Sequence, residues 1–332
     1  MLALAVAFML SSIFLLGCLD EGRNKQNGAK SASGVTEEAS EQGNQVVYIA
    51  TIQPLAMILR ELCEGRADVV CLLKLGASPH TYEPKPSDAT AAARAYALFY
   101  VDDSLDGWAA KLDAKRKVKV FDLVPAELRL EFYGMHIVED EHEDKPESES
   151  SDTHESEHKH EHSGIDAHFW TSPTTVKATL AALTDELVRL DPEGATAYKV
   201  NRDKLAGKLD TLDGEVKSKL APFAGSQIVL FHPSFRYLMR DCDLKLAGVI
   251  EPAPGREPSP RAIAKLKLIV KERGVKALFS EPQLPKSPAE TLAREAGLPL
   301  YELDPNGGVK GRETYRELIM YNVETLVQAL TD

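Results

Sequence analysis

Short β-branched and aromatic runs alternate with helical patterns through this chain. The alternation pauses for one long helical run and then resumes. Gln45 to Thr51 (QVVYIAT) reads as a strand, and after Pro54 a helical pattern runs from Leu55 to Cys63. Ala67 to Leu73 is a second strand, Ser87 opens an alanine-rich helix, Ala97 to Val101 is a third strand, and Val118 to Phe121 a fourth. Thr174 to Leu190 is helical. The run from about Glu193 to Leu220 repeats apolar residues at Leu205, Leu209, Leu212, Val216 and Leu220, which is helical spacing. Beyond it come strands at Gln227–Phe231, Leu246–Ile250, Ala277–Ser280 and Leu300–Leu303, with helices at Ser259–Glu272, Ser287–Ala296 and Arg312–Leu330. Strands that alternate with helices build βαβ units and parallel sheets. The expected class is therefore α/β, with two (β/α) domains at 45–190 and 223–332, joined by a long helix within 191–222. In such sheets ligands bind beyond the carboxyl ends of strands. His80, His232 and Asp304 all follow strands.

Two segments stand outside this pattern. Met1 to Gly17 is almost wholly apolar and ends at Cys18, before a Gly/Ser/Glu/Gln-rich run to about residue 44. An apolar stretch before a small residue and a cysteine resembles a bacterial lipoprotein signal, which makes Cys18 the lipidated first residue and 19–44 a flexible tether. No Lys or Arg precedes the apolar run, which departs from such signals. A plain secretory signal or an uncleaved anchor also implies export. Apart from this N-terminus, no apolar stretch is long enough to span a bilayer. The second segment, about 136–163, is dense in Asp, Glu and Ser and lacks apolar periodicity, so it is expected to be a disordered insertion.

Histidine is distributed unevenly. Of nine, six (His136, His142, His154, His158, His160 and His162) lie in that acidic insertion. The other three, His80, His168 and His232, sit in GASPHTYEP, DAHFWTSP and FHPSF, each a proline-containing turn beside an apolar run. Neutral imidazole suits zinc, and three protein ligands plus one more complete a tetrahedral site. Taken singly, a histidine after a strand is ordinarily a hydrogen-bonded structural residue. What favours a site is the coincidence of three such positions with the scarcity of histidine elsewhere. A fourth ligand is expected to be a carboxylate that offsets the cation's charge, and Asp304 in YELDPNGG is the candidate, although Asp-Pro is also a common turn. The net charge of −12 argues against nucleic acid as a partner. Three cysteines remain, Cys63, Cys71 and Cys242, so at least one is unpaired, and none has CxxC spacing. Cys63 and Cys71 are near enough in sequence to pair, but one ends a helix and the other sits in a strand.

GASPHTYEPKPSD, DAHFWTSP, FHPSFRYLMRDCDL, FSEPQLP and LDPNGG occur in this order. Together they resemble the ZnuA/TroA-like family of metal-binding lipoproteins that serve bacterial ABC importers. The resemblance spans Val46 to Leu330. It implies two (β/α) domains packed at a cleft and bridged by a rigid helix, with metal ligands at His80, His168, His232 and Asp304. It further implies a monomeric receptor, in the periplasm or on the outer face of the cytoplasmic membrane, anchored through Cys18. Such a receptor hands its metal to a permease and its ATPase. Two stretches depart from the usual pattern: Ala167 with Thr171-Ser172 in the second segment, and Pro233 after the ligand in the third. Both bear on hydrogen bonds that orient the imidazoles.

A histidine-rich donor set favours zinc over manganese, the alternative cargo within the family. The insertion's six histidines read as an accessory, low-affinity zinc collector close to the cleft, or more simply as a solubilising loop. An adhesin or surface metal store fits the same sequence. A zinc hydrolase is the competing class. It needs a general base, for which Glu83 and Glu281 are available, although neither lies in an HExxH helix.

Overall fold

The computed structural model describes residues 46–131, 164–252, 255 and 257–331. Cys18, the tether and the six histidines of the insertion lie outside these residues.

The first sheet is parallel. It is formed by β1 (Val46–Ala50), β2 (Ala67–Cys71), β3 (Ala97–Tyr100) and β4 (Lys117–Lys119) in the order β2-β1-β3-β4. Helices α1 (Gln53–Leu62) and α2 (Pro86–Arg94) make the crossovers, and a short α3 (Asp103–Asp106) follows β3. After α3 and β4, a two-stranded antiparallel ladder pairs β5 (Leu130–Glu131) with β6 (Ile165–Asp166). The acidic insertion leaves and re-enters the described structure through this ladder. Next come α4 (Pro173–Leu190) and α5 (Ala195–Leu220). The second parallel sheet contains β7 (Gln227–Leu230), β8 (Lys245–Val249), β9 (Leu278–Ser280) and β10 (Leu300–Glu302), with helices α6 (Arg236–Asp241), α7 (Pro260–Glu272), α8 (Ser287–Ala296) and the closing α9 (Tyr315–Thr331). Its order, β10-β9-β7-β8, is that of the first sheet when the strands are counted from the start of each half. In both halves the first strand lies between the second and third, so the chain changes winding direction there. That position opens a crevice at the carboxyl ends of the strands.

Strand side chains alternate between two cores, as a period of two requires. Tyr48 and Ala50 of β1, with Ile228 and Leu230 of β7, enter one large core. Ile49 and Val229 point the other way, into smaller cores beneath α2 and beneath α7 and α8. The 26-residue α5 is about 39 Å long at 1.5 Å per residue. Its buried stripe, Tyr198, Asn201, Leu205, Leu209, Leu212, Val216 and Leu220, joins the large core, which contains residues from both sheets. Burying each Leu stabilises the fold by about 1.5–3 kcal/mol.

The ends of helices follow local chemistry. Ser172 caps α4 by accepting from the Thr175 amide at 2.9 Å, and Ser259 caps α7 by accepting from Ala262 at 3.1 Å. Pro192–Gly194 form a 3₁₀ turn, so α5 begins later than the periodicity suggests. Cys63, Cys71 and Cys242 are all free thiols, and no Cys63–Cys71 bridge forms. Desolvation pushes each of them up to about 12, which keeps them protonated. Among the described residues no helix is long and apolar enough to cross a membrane.

Candidate metal centre

Each of the three histidines outside the insertion arrives on a loop fixed by its surroundings. His80 lies between β2 and α2. The Trp108 indole donates to the carbonyl of Pro79 at 2.9 Å, and the Tyr82 ring packs on Trp108 at 5.0 Å between centroids. Tyr82 is held in turn by its hydroxyl, which donates to Asp88 at 2.7 Å. His168 follows β6, and Asp166 Oδ1 accepts from both its backbone amide (3.1 Å) and its Nδ1 (2.9 Å). The other oxygen of Asp166 accepts from Arg236, at the start of α6, at 3.3 Å. The same helix supplies Tyr237, whose hydroxyl donates to the Asp166 carbonyl at 2.8 Å. His232 follows β7, and its Nδ1 donates to the Glu251 carbonyl at 3.4 Å. Carbonyls and carboxylates only accept, so Nδ1 carries the proton in His168 and His232, and Nε2 presents a lone pair.

These loops bring the three imidazoles together. One ring nitrogen from each lies within 4.8 Å of the other two. His80 Nε2 and His168 Nε2 are 3.4 Å apart, and the ring centroids of His80 and His168 stand 4.9 and 5.1 Å from that of His232. His168 and His232 are each 4% exposed, while His80 keeps an open edge. Burial, with His168 alongside, pushes His80 down to about 3, although a hydrogen bond with the Ser104 backbone opposes the shift. Burial first, then His80 and His168, holds His232 well below its ordinary value. Both are therefore neutral at pH 7, the form that ligates. His232 Nε2 is buried without a hydrogen-bond partner among the described residues. A buried lone pair left open beside two more imidazoles is what a cation site requires.

The carboxylates behave otherwise. Asp304, expected as the fourth ligand, does not belong to the cluster. Its Oδ1 accepts from Gln283 Nε2 (2.7 Å) and from the amides of Asn306 (3.0 Å) and Gly307 (2.9 Å), while Oδ2 accepts from Arg312 at 2.8 Å. With both oxygens bound by donors and 1% of the residue exposed, Asp304 braces the β10–α9 loop. Of the two candidate bases, Glu83 is exposed, whereas Glu281 lines the same recess as the histidines. Burial raises the Glu281 carboxyl to about 8, against the hydrogen bond it accepts from Ser234 at 2.6 Å, with Asp304 and Glu251 adding to the rise. Asp166, Arg236, Gln283 and Asn306 also belong to the site's surroundings, and no spacing in the sequence singles them out. Asp166 comes nearest to a signal, since a carboxylate two residues before a ligand histidine can orient it.

The family described as ZnuA, zinc-uptake complex component A periplasmic, matches residues 49–329. The zinc-binding protein AdcA of Streptococcus pyogenes serotype M3 is 27% identical over 287 residues, covering 85% of this chain and 55% of AdcA. The chain thus spans about half the length of the AdcA relatives it matches. The high-affinity zinc uptake system protein ZnuA of Bacillus subtilis strain 168 is 26% identical over 303 residues, covering 90% of this chain and 92% of that protein. Among solved structures, a crystal structure of ZnuA superposes with a TM-score of 0.69 at 25% identity, covering 86% of this chain and all of that one. The family match begins in β1 and ends in α9. The chain belongs to the ZnuA family of periplasmic zinc-uptake components.

Proposed function

We propose that this protein is an extracytoplasmic zinc receptor that binds Zn2+ in the recess between its two α/β halves and delivers it to an ABC permease driven by an ATPase. The lobes 45–190 and 223–332 supply the two walls, with His80 and His168 from the first and His232 from the second. The observation that carries this reading is the convergence of three buried or half-buried imidazoles with the Nε2 of His232 left open. Three imidazole nitrogens favour zinc over the harder manganese ion. The protein is a monomer tethered through a lipidated Cys18 outside the cytoplasmic membrane. Its acidic insertion collects zinc weakly and raises the local concentration near the recess. Capture and release serve uptake and leave the cargo chemically unchanged, so the protein is a receptor and not an enzyme.

Competition against a chromophoric chelator tests the ligand set. His80→Ala, His168→Ala and His232→Ala are each expected to weaken zinc binding by at least about 100-fold, since each removes one of three protein donors to a tetrahedral ion. Unchanged affinity in any one of them would remove that residue from the site.

A further inference from the structure

Four buried side-chain atoms lack a hydrogen-bond partner among the described residues: Gln227 Oε1, His232 Nε2, Gln283 Oε1 and Asn306 Oδ1. Buried polar atoms are ordinarily paired. Three of these four belong to residues lining the histidine recess. Gln283 is the informative one, because its amide has a determined orientation. Its Nε2 donates to Asp304 Oδ1 at 2.7 Å, and a carboxylate can only accept, so the nitrogen faces Asp304 and the oxygen faces away from it. Asp304 cannot turn to follow, being held by Arg312 and by the amides of Asn306 and Gly307. The recess therefore offers imidazole nitrogens for a cation together with amide oxygens that want a donor. A bare metal ion supplies no hydrogen, but a water molecule bound to it does.

We propose that Gln283, aimed by Asp304, accepts a hydrogen bond from a water molecule that the bound metal ion retains, with Asn306 as a second acceptor. The fourth coordination position then belongs to water, and Asp304 acts two steps from the metal as a positioning residue. The inference rests on the metal-site reading above and deepens it. It also assigns a task to a carboxylate whose two oxygens both accept from donors and which stands outside the histidine cluster.

The test uses the full chain loaded with zinc or with cobalt(II), whose visible spectrum reports the coordination shell. Gln283→Leu keeps the bulk and removes the acceptor. It is expected to weaken zinc binding by roughly 10- to 100-fold, the usual effect of removing an outer hydrogen-bond partner. The pH midpoint of the cobalt spectrum should shift as well, which lost packing alone would not cause. Asp304→Asn still offers an oxygen to Gln283 Nε2 but sets an amide nitrogen against Arg312, so it should weaken zinc binding no more than Gln283→Leu does. A Gln283→Leu protein with parental affinity and an unaltered cobalt spectrum would overturn the inference. So would an Asp304→Asn protein as impaired as His232→Ala, since Asp304 would then be a ligand. A parent chain that bound neither metal would bring down the site reading and this inference together.

Discussion

At the scale of residues, the site depends on how its histidines are held as much as on their presence. Asp166 grips His168 by two hydrogen bonds, and Arg236 grips Asp166 from the other half of the molecule. Keeping imidazoles neutral in a buried cluster has a consequence for stability. Folded His80 sits near 3 and His232 well below 6.5, whereas both return to ordinary values on unfolding. Below 6.5 the unfolded chain takes up protons that the folded chain refuses, so stability of the metal-free protein must fall as pH drops through that value. Urea unfolding at pH 7.5 and pH 5.5 checks this, and the His80→Ala/His232→Ala double variant should show a shallower decline. The three histidines were legible in the sequence because histidine is otherwise scarce outside the insertion and each sits in a proline-containing turn. For Asp304 the sequence shows less. Its place after a strand is visible in the sequence, but Arg312 and two loop amides claim its oxygens only once the chain has folded.

At the scale of elements, α5 carries the architecture through one buried stripe. Leu209 is 2% exposed and lies near the middle of it. Leu209→Ala should cost about 2–5 kcal/mol in chemical denaturation, the range for emptying a packed site. Ala206 is only partly buried beside it, and Ala206→Ser should change little. Long elements such as α5 were readable because 3.6-residue periodicity accumulates over many turns. The six-residue α6 and the two-residue strands β5 and β6 have no such signal, being shorter than any period can establish. These short elements nonetheless hold His168, with Tyr237 of α6 donating to the Asp166 carbonyl and Leu130 of β5 donating to the Tyr237 hydroxyl.

At the scale of the whole molecule, two sheets of the same strand order open their carboxyl ends toward one recess, and a shared core ties them together. A common core through α5 and α9 limits how far the halves can separate without exposing apolar surface. In sequence the histidine-rich insertion lies between β5 and β6, and it ends only a few residues before His168. Removing residues 139–163 should leave one tight zinc site and abolish weaker ones, as measured by stoichiometry in equilibrium dialysis. Loss of the tight site would end the collector reading. X-ray absorption at the zinc edge, on that shortened chain loaded with one equivalent, addresses the central claim most directly. Three imidazole nitrogens and one oxygen at about 2.0–2.1 Å are expected. A shell of six oxygens, or one with fewer than three imidazoles, would contradict it.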